Sequence, residues 1–327
     1  GFVSATNGDG GVDPESVSGG AGDDMLYGGG SAGVFDGGTG SDTFGVVYLT
    51  LEGSAMQLEV DLTAGYAAEQ KAPADTTAPV SSTAPFPGTG PNKVPNSYVL
   101  TGIENAIGGP LNDWIKAANG SRIEGGPGAD YLDANAGNVT VSYSTSTRGV
   151  TVQLLQDGAK ASGGDAEGDV IGYTDINDVA RLIGSAKGDT LGAYIDYSSS
   201  QNEPFILTGG GGSDTFQFLG TNGPGAVIVS DFTASATEHD LFDVRALGTT
   251  SFDEISQDGN SFVVETSPGG SVLLFVDMAN YVAPLTAADF LFAPSGNPVS
   301  VAARDDAYVV QEGQALNPQE LLLLVAD

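Results

Sequence analysis

The sequence contains no cysteine and few basic residues. Of its 327 residues, 10 are Lys or Arg and 42 are Asp or Glu, which gives a formal net charge of −32 at pH 7. Without cysteine the fold needs no disulfides, which suits several extracellular bacterial proteins as well as cytosolic ones. The large negative charge disfavours nucleic acid and anionic membranes as partners. We therefore expect no nucleic-acid partner.

The sequence has a single histidine, His239, which restricts the catalytic centres that it can hold. A His-Glu-x-x-His zinc site needs two histidines, and a Ser-His-Asp triad would have to use His239 within the acidic stretch 238–240. A pair of carboxylates for glycoside hydrolysis would rest only on the abundance of acids. We therefore predict that the chain is not an enzyme.

Long apolar runs are absent as well. The leucine-rich stretch 321–325 is far too short to cross a bilayer, and no signal peptide is visible. We therefore expect no membrane span. Because the sequence opens without Met and stops in the middle of a pattern, we also expect it to be a piece of a longer chain.

Aspartate and glycine are present in excess. The sequence has 29 Asp against 13 Glu, and 49 Gly. Asp prefers loops and hard-cation sites, and Gly permits tight turns with positive φ, so together they indicate many acidic turns. The high charge opposes compaction unless cations neutralise it. The acidic surface of a halophile is the alternative explanation, which the clustering of the acids in patterned Gly turns disfavours.

These two residue types are concentrated in nonapeptide repeats. Residues 19–45 divide into three nonapeptides, and the phrase Gly-Gly-x-Gly-x-Asp-x-apolar-x returns at 125–133 and 209–217. Looser copies lie at 108–116 and 184–192. Repeats of one short unit are typical of a solenoid or roll.

Each repeat combines an oxygen-rich turn with a short strand. The first six residues turn tightly and point carbonyl oxygens inward, the Asp adds a charged oxygen, and the last three residues form a strand. Two nonapeptides complete one coil, so Asp24 and Asp42, 18 residues apart, are predicted to stack at the strand spacing of ~4.8 Å. Ligation by oxygen alone in a flexible geometry favours Ca²⁺ over Mg²⁺.

The repeat resembles the calcium-binding nonapeptide of RTX proteins. In that family a parallel β-roll binds Ca²⁺ through glycine carbonyl oxygens and the repeat Asp, so the resemblance implies several Ca²⁺ ions here. The implied carboxylate ligands are Asp24, Asp42, Asp130 and Asp214 in the close copies and Asp113 and Asp189 in the looser ones. The implied glycine positions are Gly20, Gly22, Gly38, Gly40, Gly126, Gly128, Gly210 and Gly212, and the core-facing apolar positions are Leu26, Phe44, Leu132 and Phe216.

The sequence also departs from the RTX pattern. Gly33 stands at the Asp position of the middle nonapeptide, so the opposite edge of the first roll is predicted to lack a site. Asp113 and Asp130 are 17 residues apart, one short of a coil, so this turn is predicted to be irregular. The stretch 163–169 resembles part of the long-repeat variant of RTX modules. Its acids Asp165 and Asp169 are further candidate ligands, although a solvated acidic loop explains them equally.

A longer period overlies the nonapeptides. The Gly-Gly phrases at 37, 125 and 209 are 88 and 84 residues apart, and the segments 58–62 and 150–154 between them are alike. We predict an all-β chain with calcium-binding parallel β-roll segments in two related units of about 85 residues, followed by an antiparallel β cap. The acids of the cap, Asp231, Asp240 and Asp243, are interpreted as structural turns rather than ligands.

The predicted domains follow from these periods and from two further resemblances, to the cap that ends many RTX rolls and to a cadherin- or immunoglobulin-like adhesin repeat. They are a nonapeptide roll at 1–45, a first unit at 46–133 with a Pro- and Thr-rich insertion at 68–97, a second unit at 134–223, a β-sandwich-like cap at 224–293, a linker at 294–304 and the start of an adhesin-like repeat at 305–327.

Three functions agree with these patterns. The resemblance implies a calcium-binding structural or adhesive segment of a secreted or cell-surface bacterial protein, exported unfolded by a type I machine and folded outside the cell by Ca²⁺. Other copies of the chain or cell-surface glycans are the further partners considered. The alternatives are the non-catalytic tail of a secreted hydrolase, lyase or epimerase, and a surface-layer or filament subunit that assembles with Ca²⁺.

Overall fold

The computed structural model describes residues 2–4, 15–28, 32–46, 56–71, 96–195, 204–221, 225–265, 273–278, 281 and 284–294. The described residues up to Ala293 belong to one compact unit. The predicted adhesin-like repeat at 305–327 and most of the predicted insertion at 68–97 lie outside the described residues.

The described residues form β-strands and short 3-10 turns without any α-helix, which confirms the predicted all-β class. The first thirteen strands are β1 (Phe2–Ser4), β2 (Glu15–Ala21), β3 (Met25–Gly28), β4 (Gly33–Thr39), β5 (Thr43–Val46), β6 (Met56–Asp61), β7 (Tyr66–Lys71), β8 (Asn96–Thr101), β9 (Asn105–Ile107), β10 (Trp114–Lys116), β11 (Arg122–Glu124), β12 (Tyr131–Asp133) and β13 (Val139–Ser142).

The remaining strands continue along the same unit. They are β14 (Thr151–Leu155), β15 (Gly158–Ser162), β16 (Val170–Gly172), β17 (Val179–Ile183), β18 (Thr190–Ile195), β19 (Phe205–Thr208), β20 (Thr215–Thr221), β21 (Gly225–Val229), β22 (Leu241–Asp243), β23 (Ile255–Asp258), β24 (Ser261–Glu265), β25 (Leu273–Asp277) and β26 (Phe290–Leu291). The 3-10 turns are Gly164–Ala166, Ile176–Asp178, Arg245–Leu247, Phe252–Glu254 and Ala287–Asp289. None of the elements in the described ranges is a helix long and apolar enough to cross a membrane.

The strands build a mostly parallel β-roll, as predicted. One sheet has twelve strands in the order β1-β3-β5-β9-β11-β13-β17-β19-β21-β25-β24-β23. The other two have eight strands, β16-β12-β10-β6-β7-β8-β4-β2, and six strands, β15-β14-β18-β20-β22-β26. The chain passes in turn between the twelve-stranded sheet and one of the shorter sheets, so successive coils stack strand on strand.

Apolar side chains stack from coil to coil and form one continuous core. Because side chains alternate between the two faces of a strand, one residue per short strand points inward. In the twelve-stranded sheet the stacked residues are Leu26, Phe44, Ala106, Ile123, Val141, Leu182, Leu207 and Val229. In the six-stranded sheet they are Val152, Leu191, Phe216, Phe242 and Phe290. The apolar position of the repeat therefore faces the core, as predicted.

The same strand pairing occurs twice along the chain. Strand β6 pairs antiparallel with β7 and parallel with β10, and β14 pairs antiparallel with β15 and parallel with β18. Each hairpin is thus inserted into the roll at an equivalent place. The two hairpins begin in the segments 58–62 and 150–154 that are alike in sequence.

Antiparallel pairing near the end of the roll is less extensive than the cap predicted at 224–293. Strand β21 pairs parallel with β19 and β25, and β22 pairs parallel with β20 and β26. Among the described residues of 224–293, antiparallel pairing joins β23, β24 and β25 and the isolated bridge between Ala234 and His239. The roll continues here because Val227, Val229 and Phe242 keep their apolar side chains in register with the preceding coil.

Candidate calcium sites

The acids of the repeats lie in three files with one carboxylate per coil, which we call ladders. The first ladder is Asp24, Asp42 and Glu104, the second is Asp113, Asp130 and Asp169, and the third is Asp189, Asp214 and Asp240. The first ladder lies where the chain enters the twelve-stranded sheet, and the other two lie where it leaves that sheet. The ladders therefore occupy opposite edges of the roll.

We call each acidic residue of a ladder a rung. One hydrogen bond joins each rung to the next rung of the same ladder. The backbone N–H of Asp24 donates to Oδ1 of Asp42 at 2.8 Å, so these two residues stack in consecutive coils. The corresponding distances in the second and third ladders are 2.7–2.8 Å. In return, the carbonyl oxygen of a rung accepts from the backbone just beyond the next rung, as Asp214 accepts from Leu241 at 2.8 Å. Each rung therefore fixes the position of its neighbour.

The coil from Asp113 to Asp130 is one residue short, as its 17-residue spacing predicts, but its turn on the ladder edge is regular. Strands β10 and β12 pair without a register shift, and Asp113 N–H donates to Asp130 Oδ1 at 2.7 Å. The missing residue comes from the opposite edge. There the turn 117–121 has five residues, whereas the ladder turn 125–130 has six.

The first glycine of each repeat is required by the close approach of the repeat Asp. A Cβ built on Gly125 would lie 2.2 Å from Asp130 Oδ2, and a Cβ on Gly209 would lie 2.1 Å from Asp214 Oδ2. The carbonyl oxygen of the next coil is also close, since a Cβ on Gly108 would lie 2.2 Å from the oxygen of Gly125. Carboxylate and carbonyl oxygens thus crowd the same edge.

The other glycines predicted as ligands lie in the ladder turns or, for Gly20 and Gly38, near the ends of the strands that lead into them. Positive φ values are found at Gly20, Gly22, Gly38, Gly40, Gly126, Gly210 and Gly212. Gly128, which follows Pro127, lacks a positive φ, but a Cβ there would lie 2.4 Å from the carbonyl oxygen of Leu111. Close approach between coils explains glycine at this position.

Burial makes the second and third ladders hard to ionise. Burial raises the pKa of Asp113 and of Asp169 to about 7 and the pKa of Asp214 to about 8. Burial and repulsion from Asp169 and Asp113 hold the pKa of Asp130 well above its usual range. Burial also raises the pKa of Asp189 and Asp240. These carboxylates need either protons or a cation, since burying unpaired charges costs several kcal/mol per ion.

Basic side chains do not supply that cation. Among the described residues, ion pairs join Lys116 to Asp61, Arg122 to Glu124, His239 to Asp289 and Arg245 to Asp243. None of the six rungs of the second and third ladders takes part in them. The negative charge of these six carboxylates must therefore be neutralised by a bound metal ion or by protons.

Two rungs carry a buried oxygen that accepts no hydrogen bond from the described residues. These atoms are Oδ2 of Asp42 and Oδ2 of Asp130, and both side chains are fully buried. A buried carboxylate oxygen without a donor is rare and points to an ion. The oxygen-only surroundings suit Ca²⁺. Because the described part of the chain gathers no three acidic or imidazole side chains at one point, the donor set that fits includes the neighbouring glycine carbonyl oxygens.

Sequence reasoning missed Glu104 and undervalued Asp240. Glu104 lies outside every nonapeptide, 62 residues after Asp42, and no Gly-Gly phrase of the repeat precedes it. Asp240 stands 26 residues after Asp214 without a Gly-Gly phrase. Both residues keep one feature of the repeat, which is an acid two residues before a core-facing side chain. That side chain is Ala106 after Glu104 and Phe242 after Asp240.

Several other acids lie off the ladders. Asp165 is in the 3-10 turn Gly164–Ala166, and its backbone N–H donates to Ser146 Oγ at 3.1 Å. Asp231 accepts from the backbone N–H groups of Gly209 and Gly210 at 2.9 and 2.7 Å. Asp243 pairs with Arg245 at 2.7 Å. Asp231 and Asp243 therefore stabilise turns or side-chain contacts, as predicted, whereas Asp165 is next to Asp169 without continuing its ladder.

The histidine and the tryptophan have structural contacts. His239 Nε2 lies 2.7 Å from Asp289 Oδ1, and Ser213 Oγ accepts from the backbone N–H of His239 rather than from its ring. Trp114 stacks on Tyr131 with ring centroids 6.4 Å apart, and both side chains are buried. The stacked pair therefore packs in the fold instead of presenting an open aromatic surface.

Comparison with known proteins agrees with this geometry. Residues 9–44 and 107–141 match the family described as RTX calcium-binding nonapeptide repeat (4 copies). These two stretches of the chain match RTX repeats. These are calcium-binding structural repeats without catalytic groups of their own, and proteins that contain them are typically secreted by bacteria. No curated protein matches the chain.

The close approach in the Gly-Gly turns gives a first prediction. Gly209→Ala is expected to destabilise the calcium-loaded chain by about 2 kcal/mol or more and to lower its Tm by roughly 5–10 °C, because the new Cβ collides with Asp214 Oδ2. Gly211→Ala in the same turn is the matched control, since its Cβ meets nothing nearer than 3.7 Å. Equal melting temperatures for the two variants in calorimetry would contradict the packing described here.

Proposed function

We propose that the chain is a calcium-rigidified structural or adhesive segment of a secreted or cell-surface bacterial protein, which folds when Ca²⁺ binds outside the cell. The observation that carries the proposal is the set of three ladders, in which buried carboxylates face main-chain oxygens without basic partners in the second and third ladders. In this proposal, Ca²⁺ ions bound along the ladders hold neighbouring coils together and make the roll rigid.

The proposed ligands are the aspartate carboxylates of the ladders together with the glycine carbonyl oxygens of the same turns. In the stretches that match the RTX family these carboxylates are Asp24, Asp42, Asp113 and Asp130, and in the later copies of the nonapeptide they are Asp189 and Asp214. Asp169 and Asp240 are added as the third rungs of their ladders. Asp165 is left out because it does not continue a ladder.

The affinity expected for such sites fits a function outside the cell. Extracellular calcium modules have dissociation constants of about 10⁻⁴–10⁻³ M, so the sites stay empty where Ca²⁺ is scarce. The net charge of −32 then opposes compaction. Where Ca²⁺ is abundant, binding to the native state stabilises it by mass action, and folding follows secretion.

The first coil supports an adhesive or assembling role. Strand β1 ends the twelve-stranded sheet and β2 ends the eight-stranded sheet within the described part. Strands at a sheet edge offer backbone groups to a further strand. We propose other copies of the chain, or cell-surface glycans, as the partners of such a segment.

Replacing one rung tests the calcium assignment. Asp214→Asn is expected to raise the dissociation constant of at least one Ca²⁺ on the order of tenfold, because Asn keeps an acceptor for Asp189 N–H but removes the charge. Isothermal titration calorimetry measures this change. The matched control is Asp157→Asn in the exposed turn between β14 and β15. If both variants bind Ca²⁺ like the unmodified chain, the ladder is not the calcium site.

A further inference from the structure

We infer that Glu104 is a calcium ligand, and that it completes a site with Asp42 and the carbonyl oxygen of Gly102. The inference rests on the proposed calcium-binding function and adds a ligand that no nonapeptide contains. It makes the first ladder a site shared between the N-terminal repeats and a strand that follows the first hairpin.

Glu104 takes the place of a repeat Asp in the third coil of the first ladder. Its Oε2 accepts from the backbone N–H of Asp42 at 2.8 Å, the distance at which Asp42 Oδ1 accepts from Asp24. The carbonyl oxygen of Asp42 accepts in return from Glu104 N–H at 3.1 Å and from Asn105 N–H at 2.9 Å. The exchange of bonds that joins two repeat aspartates therefore also joins Asp42 to Glu104.

The second observation is the buried Oδ2 of Asp42. This atom accepts no hydrogen bond from the described residues although the side chain is fully buried. It faces the α-carbon of Gly37, where a Cβ would lie 2.7 Å from it and 1.9 Å from the carbonyl oxygen of Gly102. A carboxylate oxygen and a carbonyl oxygen from two coils thus pack against the same α-carbon.

Charge and access also suit a cation at this place. Asp42 and Glu104 bring two carboxylates to one edge, and the side chain of Glu104 is exposed while that of Asp42 is buried. A hydrated ion can therefore reach the site from the Glu104 side. Oxygen ligands of mixed carboxylate and carbonyl type are those that Ca²⁺ takes.

The site has a structural consequence. Asp42 and Glu104 are 62 residues apart in sequence, but β5 and β9, which follow them, are paired neighbours in the twelve-stranded sheet. An ion held by both residues therefore joins the N-terminal repeats to the first hairpin-containing unit. Calcium is expected to order the turns 37–42 and 102–104 together.

The test compares Glu104→Gln with the unmodified chain by calcium titration in a calorimeter. Gln keeps an oxygen acceptor for Asp42 N–H and removes the charge, so the variant is expected to lose one Ca²⁺ or to bind one ion on the order of tenfold more weakly. Glu254→Gln is the control, because Glu254 is exposed and its carboxylate accepts from Thr250 and Ser251 in a distant turn. It is expected to bind Ca²⁺ like the unmodified chain.

Unchanged stoichiometry and affinity in Glu104→Gln would overturn the inference. An unmodified chain that binds no Ca²⁺ would instead overturn the proposed function itself. If the variant does not fold, amide hydrogen exchange of the unmodified chain, measured during a calcium titration, tests whether the two segments share one ion. Calcium must slow exchange in 37–46 and in 96–107 with one common midpoint, and two different midpoints would exclude a shared ion.

Discussion

Removal of calcium at neutral pH is expected to unfold the roll. With excess chelator, circular dichroism should lose most of its β signal, and Ca²⁺ at about 10 mM should restore it. The physical reason is that the rungs from Asp113 to Asp240 are buried without basic partners among the described residues. Ionised and unpaired, they oppose the folded state.

The expected size of the effect is large. An ion present at 100 times its dissociation constant stabilises the native state by about 2.7 kcal/mol per site. Two or three such sites approach the whole free energy of unfolding of an ordinary domain, about 5–15 kcal/mol. Loss of the ions therefore removes a major part of the stability instead of loosening one turn.

Two controls separate specific sites from general screening of the −32 charge. Mg²⁺ at the same concentration is expected to restore little β signal, because it demands a tighter octahedral geometry. NaCl at about 1 M, which reduces the Debye length to about 3 Å, is also expected to restore little. A β signal restored equally by NaCl would mean that the acids act as a halophilic surface and that the ladders are not sites.

Much of the roll follows from the sequence where the repeat keeps its length. Asp24 and Asp42 stack because the nonapeptide keeps its length through this stretch, so every second repeat returns to the same edge. The same periodicity places Leu26 over Phe44 in the core. At these positions one local pattern decides both the turn and the strand, so the fold and the stacking of the two aspartates follow from the same repeat.

Other parts of the roll lose the period while they keep the geometry. Between Asp42 and Glu104 the chain makes the hairpin β6–β7 and strand β8 before it returns to the same edge. Between Asp214 and Asp240 the intervening turns are longer than in a nonapeptide. Coil stacking depends on strand register and on the rung hydrogen bond, and neither requires a fixed number of residues in between. Sequence spacing therefore could not reveal Glu104 or Asp240 as rungs.

The second large effect expected is a reversal of the pH dependence by calcium. Burial raises the pKa of Asp113 and Asp169 to about 7 and of Asp214 to about 8, whereas an unfolded Asp titrates near about 3.9. Between about pH 4 and pH 8 the calcium-free folded state thus binds protons that the unfolded state has released. Its free energy of unfolding falls as the pH rises through this window.

In chelator the chain is expected to be largely unfolded near neutral pH. Its β signal and its melting temperature are expected to rise as the pH is lowered towards about 5, since protons then neutralise the ladders. With calcium present, protons compete with the ion for the same oxygens. The dissociation constant of Ca²⁺ is therefore expected to increase as the pH is lowered over the same interval. Calorimetric melting and titration at a series of pH values measure both trends.

Asp214→Asn identifies the ladder as the source of the effect. An amide cannot titrate, so in chelator this variant is expected to show a flatter dependence of Tm on pH than the unmodified chain. Asp157→Asn removes the same charge from an exposed position and controls for the general loss of negative charge at acid pH. Its slope is expected to match that of the unmodified chain. If the two variants share one slope, the pH dependence comes from the overall charge, and protons and calcium do not exchange at the buried rungs.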